Sequence, residues 1–138
     1  YESRNLSTER KLLDKIENKC FYCNEHSSDK LEVEHVIPYS YLKDNKMWNL
    51  TLACKKCNCK KLGSLPEPKS KWMKELHARN NTFRGECDLL DIHLNELGDD
   101  FEMKMNIMYD LAMHQGFIEK TMPSSKITGR RRGRVRFA

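Results

Sequence analysis

Long apolar runs are missing from this 138-residue chain: no stretch approaches the roughly 18 consecutive apolar residues that a membrane-spanning helix requires. Apolar material is thin throughout, with 33% of residues charged and a mean hydropathy of -0.79. Internal repeats are lacking as well, which leaves room for one compact domain, or for one small motif with helical additions. A core this lean gains from a metal staple. The opening Tyr1-Glu2-Ser3-Arg4-Asn5 is polar and unlike a secretory leader. A disulfide scaffold is therefore not expected, and the six cysteines read as reduced thiols of an intracellular, cytoplasmic protein with no membrane partner.

The charge that is present is unevenly placed. Residues 1–85 carry 17 Lys/Arg against 11 Asp/Glu, residues 86–116 carry 1 against 8, and residues 117–138 carry 7 against 1, within a net charge of +5. The acidic block reads first as a solvated helix face. The closing Gly129-Arg130-Arg131-Arg132-Gly133-Arg134 is low in complexity and reads as a flexible basic tail.

The pattern predicts an α+β chain. Ser7 caps a first helix with Leu12, Leu13 and Ile16 at helical spacing, a unit of residues 1–19 that packs on the cysteine-bearing segment. Alternation in Leu31-Glu32-Val33-Glu34-His35-Val36-Ile37 predicts a strand stopped by Pro38. A loop leads to a short segment at Trp48–Leu52, and a lysine-rich helix then closes near Gly63. Pro66 and Pro68 mark a break before a helical extension over residues 64–116. In it, Ser70–Arg79 carries Trp72, Met73 and Leu76 on one side, and two further helices end before Gly98 and Gly116. Methionines such as Met103, Met105, Met108 and Met113 read as core or as a partner-facing groove. Residues 117–138 form the basic tail.

Cys20-x-x-Cys23 and Cys54-x-x-Cys57 are two pairs of metal-ligand spacing, and each can wrap one edge of a tetrahedral ion from a tight turn. Structural zinc on these four cysteines is the expectation. Cys59 lies two residues beyond Cys57 and could replace it; His26 is a conceivable alternative, though a turn histidine more often faces water. Cys87 stands alone and reads as packed.

A structural zinc explains folding and is silent on chemistry. Between the cysteine pairs stand Glu34 and His35 at a strand end and Asn49 fourteen residues on, with Asn58 directly after Cys57. Phosphodiester hydrolysis needs a base for the attacking water, a divalent cation on the phosphate and a group that orients the base. His35, Glu34 with Asn58, and Asn49 can fill these roles. Singly they are weak signals, since a Glu-His pair on a strand is more often surface than site and a loop Asn is usually a turn residue.

Together with the cysteine frame, Glu34-His35-Val36-Ile37-Pro38, Asn49-Leu50 and Cys57-Asn58-Cys59-Lys60-Lys61 resemble the HNH (ββα-metal) endonuclease superfamily over residues 20–63. The intervals from His35 to Asn49 and on to Asn58 are also similar to those in the HNH domain of RNA-guided CRISPR nucleases. The resemblance implies a ββα-metal fold with flanking helices, and a catalytic Mg2+ or Mn2+ separate from the zinc. It implies His35 as general base, Glu34 and Asn58 as ligands of the catalytic ion, and Asn49 as the residue that fixes His35 or its loop. The superfamily more commonly has Asp where Glu34 stands. The longer arm changes the reach by about a bond length against a coordination tolerance near 0.2 Å, a tuning difference.

Lys55, Lys56, Lys60 and Lys61 are expected to meet the phosphate backbone, with Arg130, Arg131 and Arg132 adding sequence-independent grip. DNA is the expected substrate, in a restriction, phage or antiviral defence setting. A protein partner on residues 86–116 and a homodimer are further expectations. The alternative is a zinc module that binds nucleic acid or a partner protein without cutting.

Overall fold

A computed structural model describes residues 5–25 and 30–123. The residues 26–29, with His26, and the arginines Arg130, Arg131 and Arg132 lie outside the described residues.

Helix α1 (Ser7–Ile16) places Leu13 in the core. Ser7 is its first residue rather than its cap; Leu6 precedes it, and the Ser7 hydroxyl donates back to Asn5 Oδ1 at 3.0 Å. Strand β1 (Glu32–His35) pairs antiparallel with β2 (Leu50–Ala53), with Glu32 opposite Ala53 and His35 opposite Leu50. The connection holds a single helical turn, α2 (Tyr39–Leu42), and a 3-10 turn at Met47–Asn49. Helix α3 (Lys55–Lys61) follows β2 directly. It stops where Leu62 and Gly63 take φ of 39° and 76°, a left-handed conformation that glycine adopts without steric penalty. Two short strands and a helix thus frame one unit.

Helices α4 (Lys69–Phe83), α5 (Asp88–Leu97) and α6 (Phe101–His114) form the body against which that unit packs. Leu50 and Leu52 of β2 share one apolar cluster with Leu76, Leu90, Met105 and Tyr109. The fully buried β2 is also held by polar groups. Glu17, just past α1, accepts from the Leu52 N–H at 2.8 Å and the Thr51 hydroxyl at 2.8 Å and pairs with Arg79. Arg79 in turn donates to the Leu50 carbonyl at 2.8 Å. Buried backbone groups need such partners, and here two helices supply them.

Two expectations need correction. The Pro66–Pro68 break is in part a strand, β3 (Leu65–Glu67), which pairs in parallel with β4 (Glu119–Thr121). Residues 117–123, assigned to the tail on charge, belong to the folded body: Met122 is buried, and its carbonyl accepts from the Trp72 indole at 3.1 Å. On α6, Phe101 and Met105 face inward while Met103, Ile107 and Leu111 remain exposed, so its Met-rich pattern serves the core on one side only.

Candidate active site and metal centre

The turn before β1 and the start of α3 bring Cys20, Cys23, Cys54 and Cys57 together, with all four sulfurs within 4.8 Å of one another. Cys23 and Cys54 Sγ stand 3.9 Å apart, close to the edge of about 3.8 Å that follows from Zn–S bonds near 2.3 Å in a tetrahedron. Within each pair the second cysteine's N–H points to the first one's sulfur, at 3.5 Å for Cys23 to Cys20 and 3.4 Å for Cys57 to Cys54. These turns present the sulfurs to a common centre. The Cys57 hydrogen bond draws Cys20 down to about 4, the same contact pushes Cys57 up, and burial pushes Cys23 up to about 11. Four thiol sulfurs at tetrahedral spacing are the donor set that suits zinc. Cys59 is exposed and outside the cluster, and Cys87 is buried in the helical core.

Beside the knot, a cleft of about 430 Å³ is lined by Glu34, His35, Tyr39, Lys43 and Asn58 among others. The His35 ring lies edge-on to Tyr39 with centroids 5.3 Å apart, and its Nε2 is 2.8 Å from Asn45 Oδ1. In the tautomer protonated at Nε2 this contact is a hydrogen bond to the amide oxygen. Asn49 is fully buried. Its Oδ1 accepts from the Ile37 N–H and its Nδ2 donates to the Ile37 carbonyl, both at 2.8 Å, a two-point clamp on the loop behind His35.

Glu34 sits deeper than its neighbours. Its longer arm reaches inward, where Oε1 accepts from the Tyr22 hydroxyl at 2.7 Å and Oε2 pairs with Lys61 Nζ at 2.5 Å. Burial pushes the Glu34 carboxyl up and the Lys61 ammonium down, while each partner opposes the other's shift. Asn58, on the inner face of α3, donates to Glu32 Oε1 at 2.7 Å. A hard divalent cation takes oxygen ligands. The Asn58 amide oxygen and the Glu34 carboxylate are oxygens of that kind on the cleft, and both Glu34 oxygens already hold a protein donor.

The lysines divide. Lys55, Lys56 and Lys60 are exposed along α3, and Lys120 joins them by donating to the Lys60 carbonyl at 3.1 Å. Lys61 does not belong to that face. It is 0% exposed, held by Glu34 and by the His35 carbonyl at 2.7 Å, which corrects its expected role as a phosphate contact. Tyr22, Glu32, Asn45 and Lys43 went unread in the sequence, where nothing ties them to His35.

Residues 20–67 match the family model described as HNH endonuclease. This segment has an HNH-like fold. The match spans about a third of the chain and takes in both cysteine pairs, β1, β2, α3 and β3. No curated protein and no solved structure matches the chain. The match supports a nuclease-like module with a four-cysteine cluster able to hold a metal, set against helices that the family match does not cover.

Proposed function

We propose that the chain is a metal-dependent endonuclease that hydrolyses phosphodiester bonds of DNA, within a restriction, phage or antiviral defence setting. The observation that carries this reading is the joint presence of His35, Glu34 and Asn58 on one cleft beside the cysteine cluster of an HNH unit. His35 takes the proton from the attacking water, with Asn45 holding Nε2 and Asn49 holding the loop behind the ring. Asn58 and Glu34 would hold a Mg2+ or Mn2+ ion. When bound, that ion supplies charge stabilisation at the phosphate and the leaving oxygen. Lys43 brings a positive charge to the same cleft, and Lys55, Lys56 and Lys60 offer backbone contacts along α3. Arg130, Arg131 and Arg132 extend the grip on nucleic acid.

Engagement of both Glu34 oxygens by Tyr22 and Lys61 favours a second reading, a zinc module that binds nucleic acid without cutting. One assay separates the two. Supercoiled plasmid is incubated with Mg2+ or Mn2+ and wild-type protein or His35→Ala, each carrying its full zinc. Nicking by the wild type that falls by about 10²–10⁴-fold in His35→Ala supports the nuclease. Equal behaviour of the two proteins, whether both cut or neither does, counts against it.

A further inference from the structure

A lysine at position 61 is not what a stable interior asks for. Its ammonium is fully buried, yet a buried ion pair adds little over apolar side chains of similar volume. What the ion pair does supply is geometry. Lys61 Nζ holds the carbonyl of His35 at 2.7 Å and one oxygen of Glu34 at 2.5 Å, and the Tyr22 hydroxyl holds the other oxygen at 2.7 Å. Tyr22 lies between Cys20 and Cys23 and is wedged against Trp72 at 5.0 Å, so its hydroxyl stands where the winding of the cysteine turn puts it.

Resting on the nuclease reading, we infer that Lys61 is a positioning residue for the His35–Glu34 end of β1, and that Tyr22 extends this bracing to the cysteine knot. The knot then does more than staple the fold: its turn aims the carboxylate offered to the catalytic ion. Neither Lys61 nor Tyr22 needs to touch substrate for this.

The test uses the full, zinc-loaded chain and the variants Tyr22→Phe and Lys61→Met. Mn2+ binding is titrated without nucleic acid, and the Mn2+ concentration giving half-maximal plasmid cleavage is measured in parallel. Loss of an outer partner of a metal ligand typically weakens binding by about 10- to 100-fold, and that shift is expected in both variants at unchanged zinc content. In Tyr22→Phe, raised Mn2+ should restore most of the cleavage rate. Leu90→Ala, a core truncation in the helical body, should lower the melting temperature and leave Mn2+ affinity alone, which separates positioning from general loosening. Should Lys61→Met fail to fold, Tyr22→Phe decides the matter by itself. A folded, zinc-loaded Tyr22→Phe with wild-type Mn2+ affinity overturns the bracing role alone. A wild type that binds no Mn2+ overturns the nuclease reading and this role with it.

Discussion

Asn49 shows how much one side chain does at the site. Its amide closes both backbone groups of Ile37, a residue with 0% exposure, and its own carbonyl accepts from the Val36 N–H at 2.9 Å. In Asn49→Ala the Ile37 N–H and carbonyl lose their partner in a place water does not reach. Each such orphan costs about 1–3 kcal/mol, so the urea midpoint should fall with little change in slope. Asn49→Asp keeps the acceptor but turns a carboxylate oxygen on the buried Ile37 carbonyl, so its midpoint should fall at least as far as that of Asn49→Ala. Sequence reading reaches the four clustered cysteines because their spacing is part of a pattern, and the same pattern singles out Asn49, which the structure buries behind His35, and Asn58, which it sets on the cleft. Lys61 was misread because its neighbour Lys60 is the same residue type in the same basic run. The clue lies in the helix itself: Lys61 is four residues beyond Cys57, and a helix presents such positions on one face. Since Cys57 must turn inward to the metal, Lys61 turns inward with it.

Among the elements, the 3-10 turn at Met47–Asn49 depends most on its neighbours. It positions Asn49 yet has few hydrogen bonds of its own. The Asn80 amide of α4 donates to the Trp48 carbonyl at 3.0 Å, and His93 Nδ1 of α5 accepts from the Met47 N–H at 2.9 Å. His93 accepts only while neutral at that nitrogen, and burial, then Lys46, hold it below its ordinary 6.5; Glu96, Glu9 and Asp44 pull the other way. A depressed histidine adds stability above its ordinary value, and that contribution is lost as pH falls through the lowered one. The melting temperature should therefore drop as pH falls below that ordinary value of 6.5. His93→Asn, which keeps an acceptor without a titrating proton, should flatten part of the drop; an unchanged profile would remove His93 from the account. The helices and strand β1 were legible from periodicity and from Pro38, whereas β2 read only as a short segment at Trp48–Leu52 and its pairing came from the family resemblance. The β3–β4 pair was not, because three-residue strands more than 50 positions apart leave no periodic trace and Pro66 reads as a breaker.

At the scale of the molecule, the question is whether the HNH unit and the helices beyond it fold together. Cys20, Cys57, Tyr22, Trp72 and Met122 form a small cluster around the metal centre, and it draws on the first turn, α3, α4 and the segment after β4. The larger cluster joins Val36, Ile37, Leu50 and Leu52 of the HNH unit to Leu76, Leu90 and Met105 of the helices. Each strand of the hairpin has only four residues, too few to persist without packing on a partner. Loss of the cysteine knot should thus release β1 and β2 and take the shared core with them. Chelation of zinc, followed by far-UV circular dichroism, should remove the helical signal in one cooperative step, and Cys54→Ser should behave as the chelated protein does. His35→Ala, whose side chain lies on the cleft and not in either cluster, should keep the wild-type zinc content and melt nearly unchanged. Helices that keep their native signal and a sharp melt after chelation would mean that α4–α6 stand without the HNH unit, and that Leu50 and Leu52 merely rest on a body already folded.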